Sequence, residues 1–388
     1  MNKTIKQGVL TLLRSALSGE KLPLPEEFSV EGAYSIIKQH RIMSICYCGA
    51  CNCGIDENLP VMLKLQSQTY AELIHGECQE WELARICEEL RKLNVFFMPV
   101  KGLFIKKLYS QPHMRYMADA DILINENERG KIERLLCGLG YHKYAESPCE
   151  IIYENDNLHL ELHKHLIPPS VKDYFSYFEG FAERAEALDF GEHKLRDEDH
   201  FIYIFVHFAR HYRGGGIGLK HLCDIFVCKE NLTLDEKYIE EELKKLGLLK
   251  FYQNLMQAVK EAFSGSELSE TSDIIINAVF KSGAYGTVKS ARIADAASRG
   301  GDKNLKKANR SRFIGALFLP FSIMKIKYPF LKKLPFLLPF MWVWRAIRAV
   351  FKGKNKVSHE LNALKDLSAD EVKAYADTLK AVGLNFDF

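Results

Sequence analysis

Asp119-Ala120-Asp121 sets two carboxylates two residues apart, directly before the apolar run Ile122-Leu123-Ile124. In an extended strand that spacing turns both side chains to one face, roughly 6–7 Å apart along the chain. Two anions so placed repel each other unless a cation lies between them. Mg²⁺ takes oxygen ligands and is commonly held by one or two carboxylates together with phosphate oxygens. The pair is therefore a candidate cradle for Mg²⁺, or Mn²⁺, carrying a nucleoside triphosphate such as ATP. Glu161, in the alternating run Leu160-Glu161-Leu162-His163, is the candidate third carboxylate and shares a strand face with His159 and His163. A third carboxylate completes a two-metal site, in which one ion holds the triphosphate and the other lowers the pKa of the attacking hydroxyl. By itself a D-x-D pair is equally a solvated face of an edge strand, so the surrounding elements decide.

Those elements read as follows. Residues 95–100 (VFFMPV) form a short run of strand formers ending in Lys101-Gly102. Residues 103–109 read as a helix bounded by Ser110-Gln111-Pro112, and residues 118–124 as the next strand. An amphipathic helix over 127–139 stops at Gly140, and strands follow over 141–144, 151–153 and 158–163. The order strand, helix, strand, helix, then strands predicts an α/β or α+β region, and we read it as α+β with a small mixed sheet. Apolar spacing over 61–93, and again from 197 to about 297, predicts flanking helical regions; 201–212 is aromatic-rich and Arg213-Gly214-Gly215-Gly216 separates it from a helix at 219–228. Residues 298–309 are polar and contain glycine, so they read as a linker, and Ser368 opens a last helix over 369–382. At 388 residues the chain exceeds one ordinary core, which divides it into a helical region (1–93), a core (94–195), a helical substrate-side domain (196–297) and a basic aromatic region (298–388).

Lys101-Gly102, the helix after it, Arg115 with Asp119-Ala120-Asp121, Leu139-Gly140-Tyr141 and Glu161-Leu162-His163 jointly resemble the uncharacterised nucleotidyltransferase family of the polymerase-β-like superfamily. The helix containing Val206 to His211, with Gly218-Leu219-Lys220 and Asp224, is similar to that family's downstream segment. The resemblance spans roughly residues 30 to 260. It implies transfer of a nucleoside monophosphate from a nucleoside triphosphate to a hydroxyl-bearing acceptor, with release of pyrophosphate. Asp119, Asp121 and Glu161 would be the catalytic, metal-binding carboxylates. Lys101, Gly102 and Arg115 would hold the nucleotide, Arg115 through a bidentate phosphate clamp. His163, His207, His211, Lys220 and Asp224 would border the substrate cleft. The wider superfamily has Gly-Ser after its first strand, where this chain has Lys101-Gly102-Leu103. That departure raises the alternative of a catalytically silent nucleotide-binding protein on the same fold. The acceptor stays open among a sugar, an antibiotic-like small molecule, a peptide and a protein side chain.

Two further features have alternative readings. Cys46, Cys48, Cys51 and Cys53 are either a zinc or copper cluster or small apolar residues of a buried helix. Residues 310–356 are basic and aromatic, and no Asp or Glu occurs from Lys303 to His359. That stretch either contacts an anionic membrane surface, binds an acidic macromolecule, or packs as short helices with solvated lysines. The net charge of +3 calls for no specific nucleic acid. Ten cysteines without a signal peptide, and no apolar run near the ~20 residues of a membrane span, predict a cytoplasmic protein that is at most peripheral to a membrane.

Overall fold

The computed structural model describes residues 2–352 and 367–385, so the end of the basic stretch, 353–356, lies outside the described residues. Four helices open the chain: α1 (Lys3–Ser18), α2 (Val30–Gln39), α3 (Met43–Asn52) and α4 (Pro60–Lys92). Asn2 and Ser29 cap α1 and α2 through their side-chain oxygens, and Pro60 opens α4 where no N–H is needed. Cys46, Cys48 and Cys51 lie on α3 and Cys53 closes it; Cys46 is buried and the others pack against the core. All are free thiols, and among the described residues no cysteine joins a group able to hold a metal.

The sheet follows: β1 (Phe97–Val100), the short α5 (Gly102–Ile105), β2 (Ala120–Ile124), α6 (Arg129–Gly138), β3 (His142–Glu146), β4 (Glu150–Glu154) and β5 (His159–His163). Its strand order is β1-β2-β5-β4-β3, with β2 and β5 parallel and the other pairs antiparallel. The fold is thus α+β with a mixed sheet. Alternation divides the two faces. Ala120, Ile122, Ile124, Leu160 and Leu162 pack with Leu83, Ile86 and Leu90 of α4 and Ile132 and Leu136 of α6. Met98, Val100 and Leu123 face the other way, into a large core shared with α1–α3 and the later helices. Asp121, Glu161 and His163 have the parity of that second face.

Helices α7 (Lys172–Glu179) and α8 (Phe181–Arg184) and a small ladder of β6 (Glu186–Ala187) with β7 (His193–Lys194) lead into α9 (Asp197–Arg213) and α10 (Leu219–Asn231). Gly216 lets the connection between α9 and α10 lie flat on the end of a later helix: its φ is +128°, and a Cβ there would sit 2.1 Å from Ser282 Oγ. Then come α11 (Glu236–Lys245), α12 (Leu249–Ser264), α13 (Glu270–Ser282) and α14 (Val288–Ser298). Residues 298–309 are not the linker their polarity suggests. Helix α15 (Gly301–Leu317) occupies most of them, bent at Asn304 (φ −154°, ψ 90°), whose side chain accepts a hydrogen bond from Lys307 N–H and restarts the helix. Polarity there marks solvent exposure of a helix rather than its absence.

Two further helices, α16 (Phe321–Lys327) and α17 (Leu338–Lys352), carry the basic aromatic stretch, with Phe336, Phe340, Val343 and Trp344 exposed. No helix among the described residues is long and apolar enough to cross a membrane. The last helix, α18 (Ala369–Ala381), starts in a capping box of Ser368 and Glu371. It returns to the main core through Leu379 and Val382, and the Tyr375 hydroxyl donates to the carbonyls at the end of α9.

Candidate active site

The end of the β2–β5 pair and the facing walls of α9 and α10 enclose a cavity of about 280 Å³. Every residue that the sequence singled out as catalytic, nucleotide-binding or cleft-lining borders it: Lys101, Gly102, Arg115, Asp119, Asp121, Glu161, His163, His207, His211, Lys220 and Asp224. The parallel register sets Asp121 beside Glu161 and Leu123 beside His163. Residues forty apart in sequence thereby become lateral neighbours. Asp119 lies just before β2, on the cavity wall.

Asp121, Glu161 and His163 offer two carboxylates and an imidazole whose ligand atoms lie within 4.8 Å of one another. That donor set fits a divalent cation: the oxygens suit Mg²⁺ or Mn²⁺, and the imidazole extends the choice toward other transition metals. Among the described residues it is the one such group, and Asp119 stands outside it. Asp121 Oδ1 accepts hydrogen bonds from Lys101 Nζ at 2.5 Å and His163 Nε2 at 2.6 Å. Burial would raise the Asp121 carboxyl, but the Lys101 ammonium and the His163 ring override it and hold it well below the usual carboxylate range. Burial, then the nearby Asp121 and Glu161 charges, push the Asp119 carboxyl up. The two aspartates thus sit in opposite electrostatic settings.

Lys101 reaches Asp121 from an unusual backbone. Its φ of +52° and ψ of −116° are values normally kept for glycine at the first corner of a type II′ turn. Its N–H donates to His200 Nε2 at 3.2 Å, and the His200 ring stacks on Phe104 at 3.9 Å between centroids. Burial lowers the His200 pKa to about 3, so the ring is a neutral acceptor that pins the turn. Gly102 follows because there is no room for more: a Cβ there would meet Met117 Sδ at 2.9 Å.

Arg115 does not stand free. Its Nε and Nη2 donate to the two Asp224 oxygens, each at 2.9 Å, and the Tyr109 hydroxyl donates to Asp224 Oδ1 at 2.9 Å. This buried bidentate pair ties the loop before β2 to α10. The His207 and His211 rings lie 4.3 Å apart between centroids, tilted by 49°, with His221 at 6.2 Å from His207. Burial lowers all three imidazoles, His211 to about 4, which leaves them uncharged near neutral pH.

Sequence reasoning missed His165, Arg210, His221, Glu150 and Tyr285, which line the same cavity, and His200 beneath it. His165, Arg210 and His221 were within reach, each standing one or two residues from a residue singled out. Glu150 enters because β4 pairs it with His163. Tyr285 carries no local signal; it comes from the loop after α13.

The family model described as uncharacterised nucleotidyltransferase matches residues 26–264. No curated protein and no solved structure matches the chain. The matched span takes in all five strands of the sheet and both helices of the opposite wall, and covers more than half of the molecule. The chain therefore belongs to the uncharacterised nucleotidyltransferase family, an enzyme family whose common role is nucleotidyl transfer.

Proposed function

We propose that the protein transfers a nucleoside monophosphate from a nucleoside triphosphate to the hydroxyl of an acceptor, with Mg²⁺ or Mn²⁺ as cofactor. The observation that carries this reading is the convergence of Asp119, Asp121, Glu161 and His163 at one end of a cavity whose other wall is cationic and aromatic. Asp121 and Glu161 would hold the cation, with His163 as a third donor and Asp119 completing the carboxylate face. When bound, the ion neutralises charge on the phosphates and on the attacking oxygen. The acceptor oxygen forms a bond to the α-phosphorus while the bond to the pyrophosphate oxygen breaks, and pyrophosphate leaves with that electron pair. Glu161 orients the acceptor hydroxyl. Asp119, on the cavity wall just before β2, would take the hydroxyl proton. Lys101, which donates to Asp121 Oδ1, would be free to hold a phosphate oxygen if a cation engaged that carboxylate.

The test is pyrophosphate release and thermal shift with ATP, CTP, GTP and UTP in Mg²⁺ or Mn²⁺, comparing wild type with Asp119→Ala and Asp121→Asn. Metal-dependent stabilisation by one nucleotide, lost in both variants, is expected; full activity in Asp119→Ala would remove that residue from the chemistry. Nucleotide binding without any release of pyrophosphate would instead favour the silent nucleotide-binding reading, which the Lys101-Gly102-Leu103 turn motivates. A second element of the proposal is peripheral contact of the basic aromatic stretch with an anionic membrane, supported by exposed Phe336, Phe340 and Trp344 among lysines and arginines.

A further inference from the structure

We infer that Lys220, the amino-terminal turn of α10 and Arg41 form an anion site for a phosphate group, distinct from the carboxylate end of the cavity. The geometry of that site stands by itself; assigning it to a substrate rests on the nucleotidyl-transfer reading.

Lys220 lines the cavity yet is only 7% exposed. Among the described residues its ammonium makes no hydrogen bond and has no carboxylate within 4.0 Å. Its nearest acids cannot serve it. Asp224 already accepts three hydrogen bonds from Arg115 and Tyr109, and neither it nor Asp119 comes within 4.0 Å of the ammonium. A desolvated cation without a partner is costly, and in a cleft it marks the place of an anionic ligand. Burial, and then the neighbouring Arg115 charge, bring its pKa down to about 7, as expected of an ammonium that lacks its counter-ion.

The helix supports the same ligand. Lys220 is in the first turn of α10, which has thirteen residues and no acid in that turn, so its positive end faces the cavity unopposed. The Leu219 N–H is taken by His40 Nδ1 at 3.2 Å, while Gly216, Ile217 and Lys220 border the opening. Arg41 adds a second cation without a carboxylate partner among the described residues. Its guanidinium lies 5.8 Å from the Tyr116 ring centroid and 5.1 Å from that of Tyr285, and its hydrogen bond is to the Tyr285 hydroxyl at 3.3 Å. Tyr285 is 60% exposed and lines the cavity, which places this stack at the mouth. The cations that the sequence offered for phosphate, Lys101 and Arg115, are held by Asp121 and Asp224.

The ligand class is a phosphate monoester or polyphosphate, either the tail of the nucleoside triphosphate or the phosphate of a phosphorylated acceptor. The experiment is calorimetric titration of the full chain, without metal, with pyrophosphate and with glucose 1-phosphate. Wild type is compared with Lys220→Met and Arg41→Gln, and their thermal midpoints confirm folding. Wild type is expected to bind at least one of the two, and Lys220→Met to weaken it roughly tenfold or more, the loss of one charge-assisted hydrogen bond. Arg41→Gln should weaken the same ligand, which keeps the test decisive if Lys220→Met folds poorly. A loss for pyrophosphate assigns the site to the nucleotide tail; loss confined to the sugar phosphate assigns it to the acceptor. Binding by neither ligand in wild type, or unchanged affinity in both variants, overturns the inference. Asp121→Asn separates the two readings, since it should abolish pyrophosphate release while its pyrophosphate affinity still falls when Lys220→Met is added.

Discussion

Lys101 and Lys220 show how differently two buried lysines can be used. Lys101 sits in a backbone conformation that disfavours a side chain and spends its charge on Asp121. It therefore competes with any cation for the same carboxylate oxygen. Lys101→Met is expected to bind Mn²⁺ alone more tightly than wild type, roughly tenfold by removal of one neighbouring positive charge. It should nevertheless lose nucleotide-dependent turnover. Electron paramagnetic titration of free Mn²⁺ checks the first effect and pyrophosphate release the second. Lys220 instead carries the desolvation cost with no carboxylate in reach. Below about pH 7 folded and unfolded chains both hold its proton, and the folded state bears the whole penalty. As pH rises from there through the ordinary lysine range, the folded chain gives up the proton while the unfolded chain keeps it, and the penalty shrinks. Lys220→Met is thus expected to be more stable than wild type near pH 6, with the gap closing toward about pH 10. Urea unfolding at a series of pH values measures it; a gap that widens with pH would contradict the assignment.

At the scale of elements, the site depends on two junctions. One is the parallel pairing of β2 with β5, which sets Asp121 beside Glu161. The other is the Arg115–Asp224 pair, which fastens the loop leading into β2 to α10 and so fixes the spacing between the carboxylate end and the Lys220 wall. Both partners are buried, so removing one strands the other. Arg115→Met is expected to cost about 3–5 kcal/mol of stability. The double variant Arg115→Met/Asp224→Leu should recover a large part of that loss while still impairing activity, because the two walls are no longer tied. Denaturant unfolding of the three variants checks this; a double variant no more stable than Arg115→Met would mean that the pair is not the source of the loss.

At the scale of the molecule, the chain closes on itself. Helices α1–α3 share the main core with α9–α13, and α18 returns from beyond the basic stretch to lie on the same core. Deleting everything after residue 300 would therefore also remove Leu379 and Val382 from that core, and membrane contact is better tested without truncation. Phe336→Ser/Phe340→Ser/Trp344→Ser changes exposed side chains only. Wild type is expected to sediment with phosphatidylserine-rich vesicles in a salt-sensitive way, and the triple variant to stay in the supernatant. Sedimentation of neither protein would end the membrane reading.

The sequence by itself determined the local matters. A run of strand formers placed β1 and alternation placed β2 and β5 near their observed limits, apolar spacing placed α4, α6, α9 and α10, and the Lys-Gly, D-x-D and E-x-H motifs named residues that share one cavity. These depend on periodicity and turn chemistry within a few residues, which any single chain displays. Partnership was decided only by the tertiary structure. The His163 ring joins Asp121 and Glu161 because a parallel register brings β5 against β2. Arg115 is committed to Asp224 because α10 packs on the loop before β2. Lys220 is left without a counter-ion because that same pair consumes the nearest acid. Charge, burial and hydrogen bonding between distant segments depend on which atoms meet when the helices close over the sheet, and no spacing along the chain encodes that.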